Sequence, residues 1–144
     1  MIYWFYGQPG SGKTTLAGTL KEHLELNKHR RVKHIDGDEM RRIFSNTDYS
    51  KEGRLKNLRN INNIVRYLDY TGNDVVVSVV SPYKEVRDEM LDLDIKFYHI
   101  HTNELRGRED YFVKDFELTE SDLKINTTHR NPIQIIHEIF TLYR

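Results

Sequence analysis

The sequence has 144 residues, the usual length of one domain that can bury its own hydrophobic core. Its 22 basic and 22 acidic side chains cancel, which excludes a general electrostatic attraction to nucleic acid or to an anionic membrane. The absence of cysteine excludes disulfide and thiolate chemistry, and because no membrane-spanning run or signal-peptide pattern is present, we expect a cytoplasmic protein.

Short apolar runs bounded by glycine or charged residues predict buried β-strands. These runs are rich in β-branched and aromatic residues, and they lie at residues 2–6, 32–35, 75–80 and 95–100. A shorter fifth strand is predicted at residues 123–126. Each of the first four runs precedes a segment with helical periodicity, so strands and helices alternate along the chain.

The helical segments have apolar residues at every third or fourth position. The first covers residues 14–26, and the second is a long helix that Gly72 ends. Ser81 before Pro82 has the pattern of an N-cap followed by proline at the first helical position, which predicts a helix over residues 83–91. Asn131 before a proline predicts the start of the last helix in the same way.

This alternation predicts an α/β fold with three layers (α/β/α) and a mostly parallel sheet of about five strands. The segment from residue 102 to residue 120, which we call the lid segment, fits neither period and mixes charged with aromatic residues. It predicts a mobile loop or lid over a site. We expect residues 1–144 to form one domain.

The stretch GQPGSGKT at residues 7–14 matches the P-loop pattern G-x-x-x-x-G-K-[ST], and it lies between a strand and an amphipathic helix, as a P-loop must. Gly10 and Gly12 allow backbone N–H groups to point at phosphates, Lys13 would bridge the β- and γ-phosphates, and the Thr14 hydroxyl would ligate Mg²⁺. A glycine-rich turn that binds nothing is the weaker alternative. The residues predicted to bind ATP here are Gly7, Gly10, Ser11, Gly12, Lys13, Thr14 and Thr15.

Two carboxylates, Asp36 and Asp38, follow the second predicted strand in the sequence HIDGDEMRR. In an open α/β sheet, ligands bind beyond the carboxyl ends of the strands, so we expect both side chains to face the phosphates. A carboxylate there can order Mg²⁺ ligands or accept a proton from an acceptor hydroxyl. The alternative is a solvated acidic turn that caps a short helix.

Four motifs occur in order between residues 7 and 87: GQPGSGKTT, DGDEMR, YSKEGRLKNLR and VSPY. Together they resemble the adenylylsulfate kinases, which are P-loop NTPase-fold enzymes. The resemblance implies transfer of the ATP γ-phosphate to the 3′-hydroxyl of adenosine 5′-phosphosulfate, with Mg²⁺ as cofactor. It also suggests a homodimer.

The resemblance implies a role for each matching residue. Asp38 falls on the catalytic base, and Asp36 on its companion near the metal, with Thr14 as the second metal ligand and Lys13 as the third catalytic residue. Tyr49 falls on an aromatic that stacks on the adenine, although it could instead be a core aromatic. The positions implied to contact the acceptor are Asp38, Arg41, Tyr49, Arg54, Asn57, Val79 and Ser81.

The chain also departs from the family pattern. Glu39 replaces an asparagine, Gly53 stands where an aspartate precedes the arginine, and the lid is short. Within the lid segment, we expect a basic group for the nucleotide from Arg106 or Arg108 and a second stacking ring from Phe112. A short lid predicts weaker exclusion of water or an acceptor of different shape.

The sequence is also compatible with two other functions. The first is a small P-loop kinase for another hydroxyl acceptor, such as a nucleoside, a sugar or a modified base. The second is a nucleotide-binding module without turnover, which the presence of Lys13, Thr14, Asp36 and Asp38 disfavours.

Overall fold

The computed structural model describes residues 1–28 and 31–142. Within these residues, five parallel strands form one sheet, and they are β1 (Ile2–Tyr6), β2 (Val32–Asp36), β3 (Asp74–Val79), β4 (Ile95–His101) and β5 (Leu123–Asn126). The strand order is β2-β3-β1-β4-β5, and every neighbouring pair is parallel. The predicted α/β fold, including the short fifth strand, is confirmed.

Helices cover both faces of the sheet. They are α1 (Lys13–Lys28), α2 (Gly37–Ile43), α3 (Lys51–Tyr70), α4 (Lys84–Asp88) and α5 (Pro132–Leu142). Helices α1 and α5 pack on one face, and α3 and α4 pack on the other. Among the described helices, none is both long and apolar enough to cross a membrane.

Strand β1 forms the centre of the molecule because both of its faces are buried. Tyr3 and Phe5 face the core with α1 and α5, whereas Ile2, Trp4 and Tyr6 face the core with α3 and α4. Full burial of a large apolar side chain stabilises a fold by about 1.5–3 kcal/mol. Burial on two faces therefore fixes β1 tightly, and with it the start of the P-loop at the next residue.

Two of the predicted helix boundaries are confirmed and one is wrong. Gly72 has φ 90° just after α3, and the Asn131 side chain accepts a hydrogen bond from the Ile133 N–H at 2.8 Å at the start of α5. Ser81 is not an N-cap, because α4 begins three residues later at Lys84. Instead, Ser81 has a left-handed φ of 42°, and its carbonyl accepts a hydrogen bond from Arg87.

Arg87 is a buried arginine that joins the turn before α4 to the end of the lid segment. Its guanidinium donates to the carbonyl oxygens of Ser81 and Glu117, each at 2.6 Å. It also lies 4.2 Å from the centre of the Tyr6 ring, in a cation–π arrangement. Arg87 therefore connects β1, the α4 turn and the lid segment.

We expect Arg87→Ala to lower the free energy of unfolding by roughly 3 kcal/mol, because a buried and a partly buried carbonyl group lose a charged donor. Urea unfolding followed by circular dichroism measures the change. Arg66→Ala is the matched control, since Arg66 forms an exposed ion pair with Asp92 and its loss should change stability far less. Equal effects of the two substitutions would contradict this role of Arg87.

Candidate active site

The carboxyl ends of the strands open into a cavity of about 790 Å³. All of the predicted site residues line this cavity except Gly7 and Ser11, which are buried residues of the P-loop. A β-carbon on Gly7 would lie 2.1 Å from the Ile100 carbonyl oxygen, so only glycine can pack against β4 at this position. The resemblance therefore selected residues that the fold brings together, although the role of each stays a prediction.

The P-loop has the backbone that its glycines predict. Gly10 and Gly12 have φ values of 80° and 101°, which only glycine adopts readily. The Lys13 ammonium group donates to the Gln8 carbonyl oxygen at 3.0 Å, inside the loop. The Ser11 carbonyl accepts a hydrogen bond from the Thr127 hydroxyl at 2.7 Å, a support from the loop after β5 that the sequence did not indicate.

Lys13 is a buried cation between two carboxylates. Burial lowers its pKa from 10.5 to about 8, because an ammonium ion is poorly solvated there. Asp38 and Asp36 oppose this shift, and the positive charge of Arg108 adds to it. Since all three charged groups act on Lys13, the charges predicted from separate motifs do converge on one site.

Asp36 is held in place by two hydroxyl groups. Thr14 and Ser78 donate to the same carboxylate oxygen, Oδ1, at 3.0 and 2.8 Å. The Ser78 hydroxyl is itself 2.7 Å from His34 Nε2. Sequence reasoning missed Ser78 and His34, although a serine within the apolar run VVVSVV is an unusual residue for a buried strand.

The residues around Thr14 and Asp36 fit a magnesium site that is completed by phosphate and water. In residues 1–28 and 31–142, no group of three or more His, Cys, Asp or Glu side chains could hold a metal by itself. Mg²⁺ typically uses one or two protein oxygens together with substrate phosphates and water. The Thr14 hydroxyl and the Asp36 carboxylate, 3.0 Å apart, are oxygens of this kind.

The opposite wall of the cavity carries polar groups that lack a partner. Asn57 Oδ1 and Ser81 Oγ are buried without a hydrogen bond in the described part of the chain. The half-buried Arg54 guanidinium lines the same wall, and no hydrogen bond or ion pair engages it among the described residues. Unpaired buried polar groups are costly, so this wall is built to be completed by a polar ligand.

Arg41 and Tyr49 form the outer part of this wall. The Arg41 guanidinium lies 4.1 Å from the centre of the Tyr49 ring, and one of its nitrogens donates to the carbonyl oxygens of Asn46 and Asp48. Arg41 therefore also organises the loop before α3. The Tyr49 ring is 63% exposed, so the alternative that Tyr49 is a core aromatic is wrong.

Gly53 and Glu39, the two substitutions in the family pattern, both lie outside the cavity lining. A β-carbon on Gly53 would lie 2.2 Å from the Asp48 carbonyl oxygen, so an aspartate at this position would require a different loop. Glu39 is exposed on α2 and is not among the residues that line the cavity. Neither of these two residues therefore contributes a group to the cavity walls.

The lid segment covers the P-loop with its two arginines. Arg106 Nη1 donates to the Gly10 carbonyl oxygen at 3.1 Å, and a β-carbon on Gly10 would lie 3.2 Å from Arg108 Cγ. A short 3₁₀ helix, Glu109–Tyr111, leads to Phe112, which lines the cavity and is 43% exposed. Arg106, Arg108 and Phe112 therefore lie where the sequence predicted, and Tyr111 lines the cavity in addition.

The lowered pKa of Lys13 makes nucleotide binding dependent on pH. Phosphates stabilise the charged ammonium, so above about pH 8 we expect ATP binding to take up a proton and affinity to fall roughly tenfold between about pH 7 and pH 9. Calorimetry in buffers of different ionisation enthalpy measures the proton uptake. Lys13→Arg should remove it, and uptake that persists in this variant would assign the proton to another group.

Comparison with known proteins identifies the family. The model of the adenylylsulphate kinase family matches residues 1–109. The chain is 29% identical to the cytidine diphosphoramidate kinase of Campylobacter jejuni in an alignment that is 155 positions long with its gaps and covers 92% of this chain and 89% of that protein. It is 40% identical to the probable adenylyl-sulfate kinase of Aeropyrum pernix over 89 residues, covering 61% of this chain and only 48% of that relative.

A solved structure has the same fold. It is the APS kinase of Mycobacterium tuberculosis in complex with AMPPNP and APS, with a TM-score of 0.83 and 21% identity over 98% of this chain and 95% of that chain. The predicted family and the prediction of an enzyme are confirmed. The family model covers most of the chain, including all four motifs between residues 7 and 87. The chain belongs to the adenylylsulphate kinase family, and it is an ATP-dependent phosphotransferase that acts on a hydroxyl group.

Proposed function

We propose that the acceptor is a nucleotide with an anionic group joined to its 5′-phosphate, and that adenosine 5′-phosphosulfate is the first candidate. The reaction would transfer the ATP γ-phosphate to the 3′-hydroxyl, giving 3′-phosphoadenosine 5′-phosphosulfate and ADP. One observation carries the proposal: on the wall opposite the P-loop, polar groups of Arg54, Asn57 and Ser81 have no partner within the part of the chain that the structure describes.

The chemistry of this wall suits a sulfated or phosphorylated nucleotide. A guanidinium recognises paired anionic oxygens through parallel hydrogen bonds, as Arg54 could do with a phosphosulfate. The exposed Tyr49 ring, backed by Arg41, offers a flat surface for a base. Phe112 on the lid segment lines the same cavity and would supply the second surface.

The groups for transfer lie on the P-loop side. Lys13 would neutralise charge on the transferred phosphate, and Asp38, which lines the cavity, would accept the proton of the acceptor hydroxyl. Thr14 and Asp36 would hold Mg²⁺, which when bound supplies positive charge to the phosphate oxygens. Arg106 and Arg108 would place further positive charge over the P-loop.

A second acceptor, cytidine diphosphoramidate, is favoured by one specific observation. The match to the Campylobacter jejuni kinase covers 92% of this chain, whereas the match to the Aeropyrum pernix protein covers 61%. A relative that aligns over nearly the whole chain also aligns with the lid segment, so it is the fuller guide to this part of the site. Both compounds are nucleotides that extend from the 5′-phosphate, so both fit the proposed class.

The test is an acceptor panel with purified protein, ATP and Mg²⁺. The panel contains adenosine 5′-phosphosulfate, cytidine diphosphoramidate, a nucleoside, a sugar and a control without acceptor. We expect adenosine 5′-phosphosulfate to stimulate ADP release and to gain the mass of one phosphoryl group. Stimulation by cytidine diphosphoramidate alone would favour the second candidate, and stimulation by neither compound would contradict the proposed class.

The Arg54→Ala substitution tests the acceptor wall. Because hydrogen bonds to charged groups contribute about 1.5–3 kcal/mol, we expect kcat/KM for the acceptor to fall roughly tenfold or more, with little change in stability. Steady-state kinetics and thermal unfolding measure the two effects. Lys56→Ala is the control, because Lys56 is exposed on the same helix and lies outside the cavity lining. Equal kinetics in the two variants would show that Arg54 does not bind the acceptor.

A further inference from the structure

The P-loop and the lid segment are joined by one glutamine side chain. Gln8 Nε2 donates to the Val113 carbonyl oxygen at 2.8 Å, and the Val113 N–H donates to Gln8 Oε1 at 2.9 Å. The Gln8 side-chain amide thus pairs with both the N–H and the carbonyl of Val113, as the backbone of a neighbouring β-strand would do. We call this pair of hydrogen bonds the Gln8–Val113 clamp.

The clamp connects to the phosphate-binding part of the loop through the backbone of Gln8. The Gln8 carbonyl accepts hydrogen bonds from the Lys13 ammonium at 3.0 Å and from the Ser11 N–H at 3.3 Å. The Gln8 residue therefore contacts the lid with its side chain and the P-loop lysine with its backbone. A movement of the lid at Val113 and the conformation of the P-loop are mechanically linked at this residue.

Val113 belongs to the cavity, whereas Gln8 does not line it. Val113 is 6% exposed and lines the cavity beside Phe112. Farther along the lid segment, the Glu117 N–H donates to the Pro82 carbonyl oxygen at 2.8 Å, which fixes the end of the lid near α4. The clamp thus holds the middle of the lid on the P-loop side while α4 holds its end, and the Gln8 side chain reaches the cavity through Val113.

We propose that Gln8 is a positioning residue that seats the lid over the P-loop before the acceptor binds. Gln8 acts through Val113, and it keeps Phe112 and the lid arginines in place over the phosphates. A lid that is already seated excludes water, which would otherwise take the γ-phosphoryl group and give ADP and inorganic phosphate. The clamp therefore compensates for the short lid, and this role holds for either acceptor.

The Gln8→Met substitution keeps the length of the side chain and removes both hydrogen bonds. We expect the Val113 amide to exchange its hydrogen roughly tenfold faster, because local opening exposes it. We also expect ADP release without acceptor to rise several-fold and kcat with acceptor to fall, while KM for ATP changes little. Amide exchange followed by NMR and steady-state kinetics give these readouts, and a purely structural role would leave the ratio of hydrolysis to transfer unchanged.

The matched control is Gln134→Met, at the other glutamine of the sequence, which is exposed on α5. It should leave amide exchange and both rates at their wild-type values. Unchanged Val113 exchange in Gln8→Met would overturn the proposal, and so would faster exchange with an unchanged ratio of hydrolysis to transfer. If Gln8→Met does not fold, amide exchange is measured on the wild-type protein without nucleotide. A Val113 amide that exchanges at its unprotected rate overturns the proposal, and a protected Val113 amide supports it.

Discussion

The burial of β1 on both faces is the constraint on which the site depends. Because β1 lies between β3 and β4 and its side chains enter two cores, its end is fixed, and the P-loop must begin at Gly7. The lack of space for a β-carbon at Gly7 shows how closely the loop approaches β4. Parallel strands then bring Asp36 and the turn containing Ser81 to the same edge. One cavity therefore receives groups from five parts of the sequence.

The two walls of that cavity carry different charged and polar groups. Lys13, buried and with its pKa lowered to about 8, faces two carboxylates that are distant from it in sequence. On the opposite wall, no group in the described ranges 1–28 and 31–142 pairs with the Arg54 guanidinium or with the buried polar atoms of Asn57 and Ser81. Phosphates on one side and, under the proposed function, an anionic, hydrogen-bonding acceptor on the other would give these groups their partners.

Much of the fold and of the site could be predicted from the sequence, because strand and helix periods and a P-loop are local patterns. The start of α4 could not be predicted. The buried Arg87, six residues after Ser81, donates a hydrogen bond to the Ser81 carbonyl, and α4 begins only at Lys84. The support of Asp36 by Ser78 and the pairing of Gln8 with a lid residue 105 positions away were also missed. Such contacts depend on side-chain geometry between elements, which no periodicity encodes.

We propose that one cavity holds both substrates at once and that the phosphoryl group passes directly between them. Initial rates measured against ATP at several fixed concentrations of adenosine 5′-phosphosulfate, or of cytidine diphosphoramidate if that is the better acceptor, test it most directly. A ternary complex predicts double-reciprocal lines that intersect. Parallel lines, which indicate a phosphorylated enzyme formed before the acceptor binds, would contradict the account.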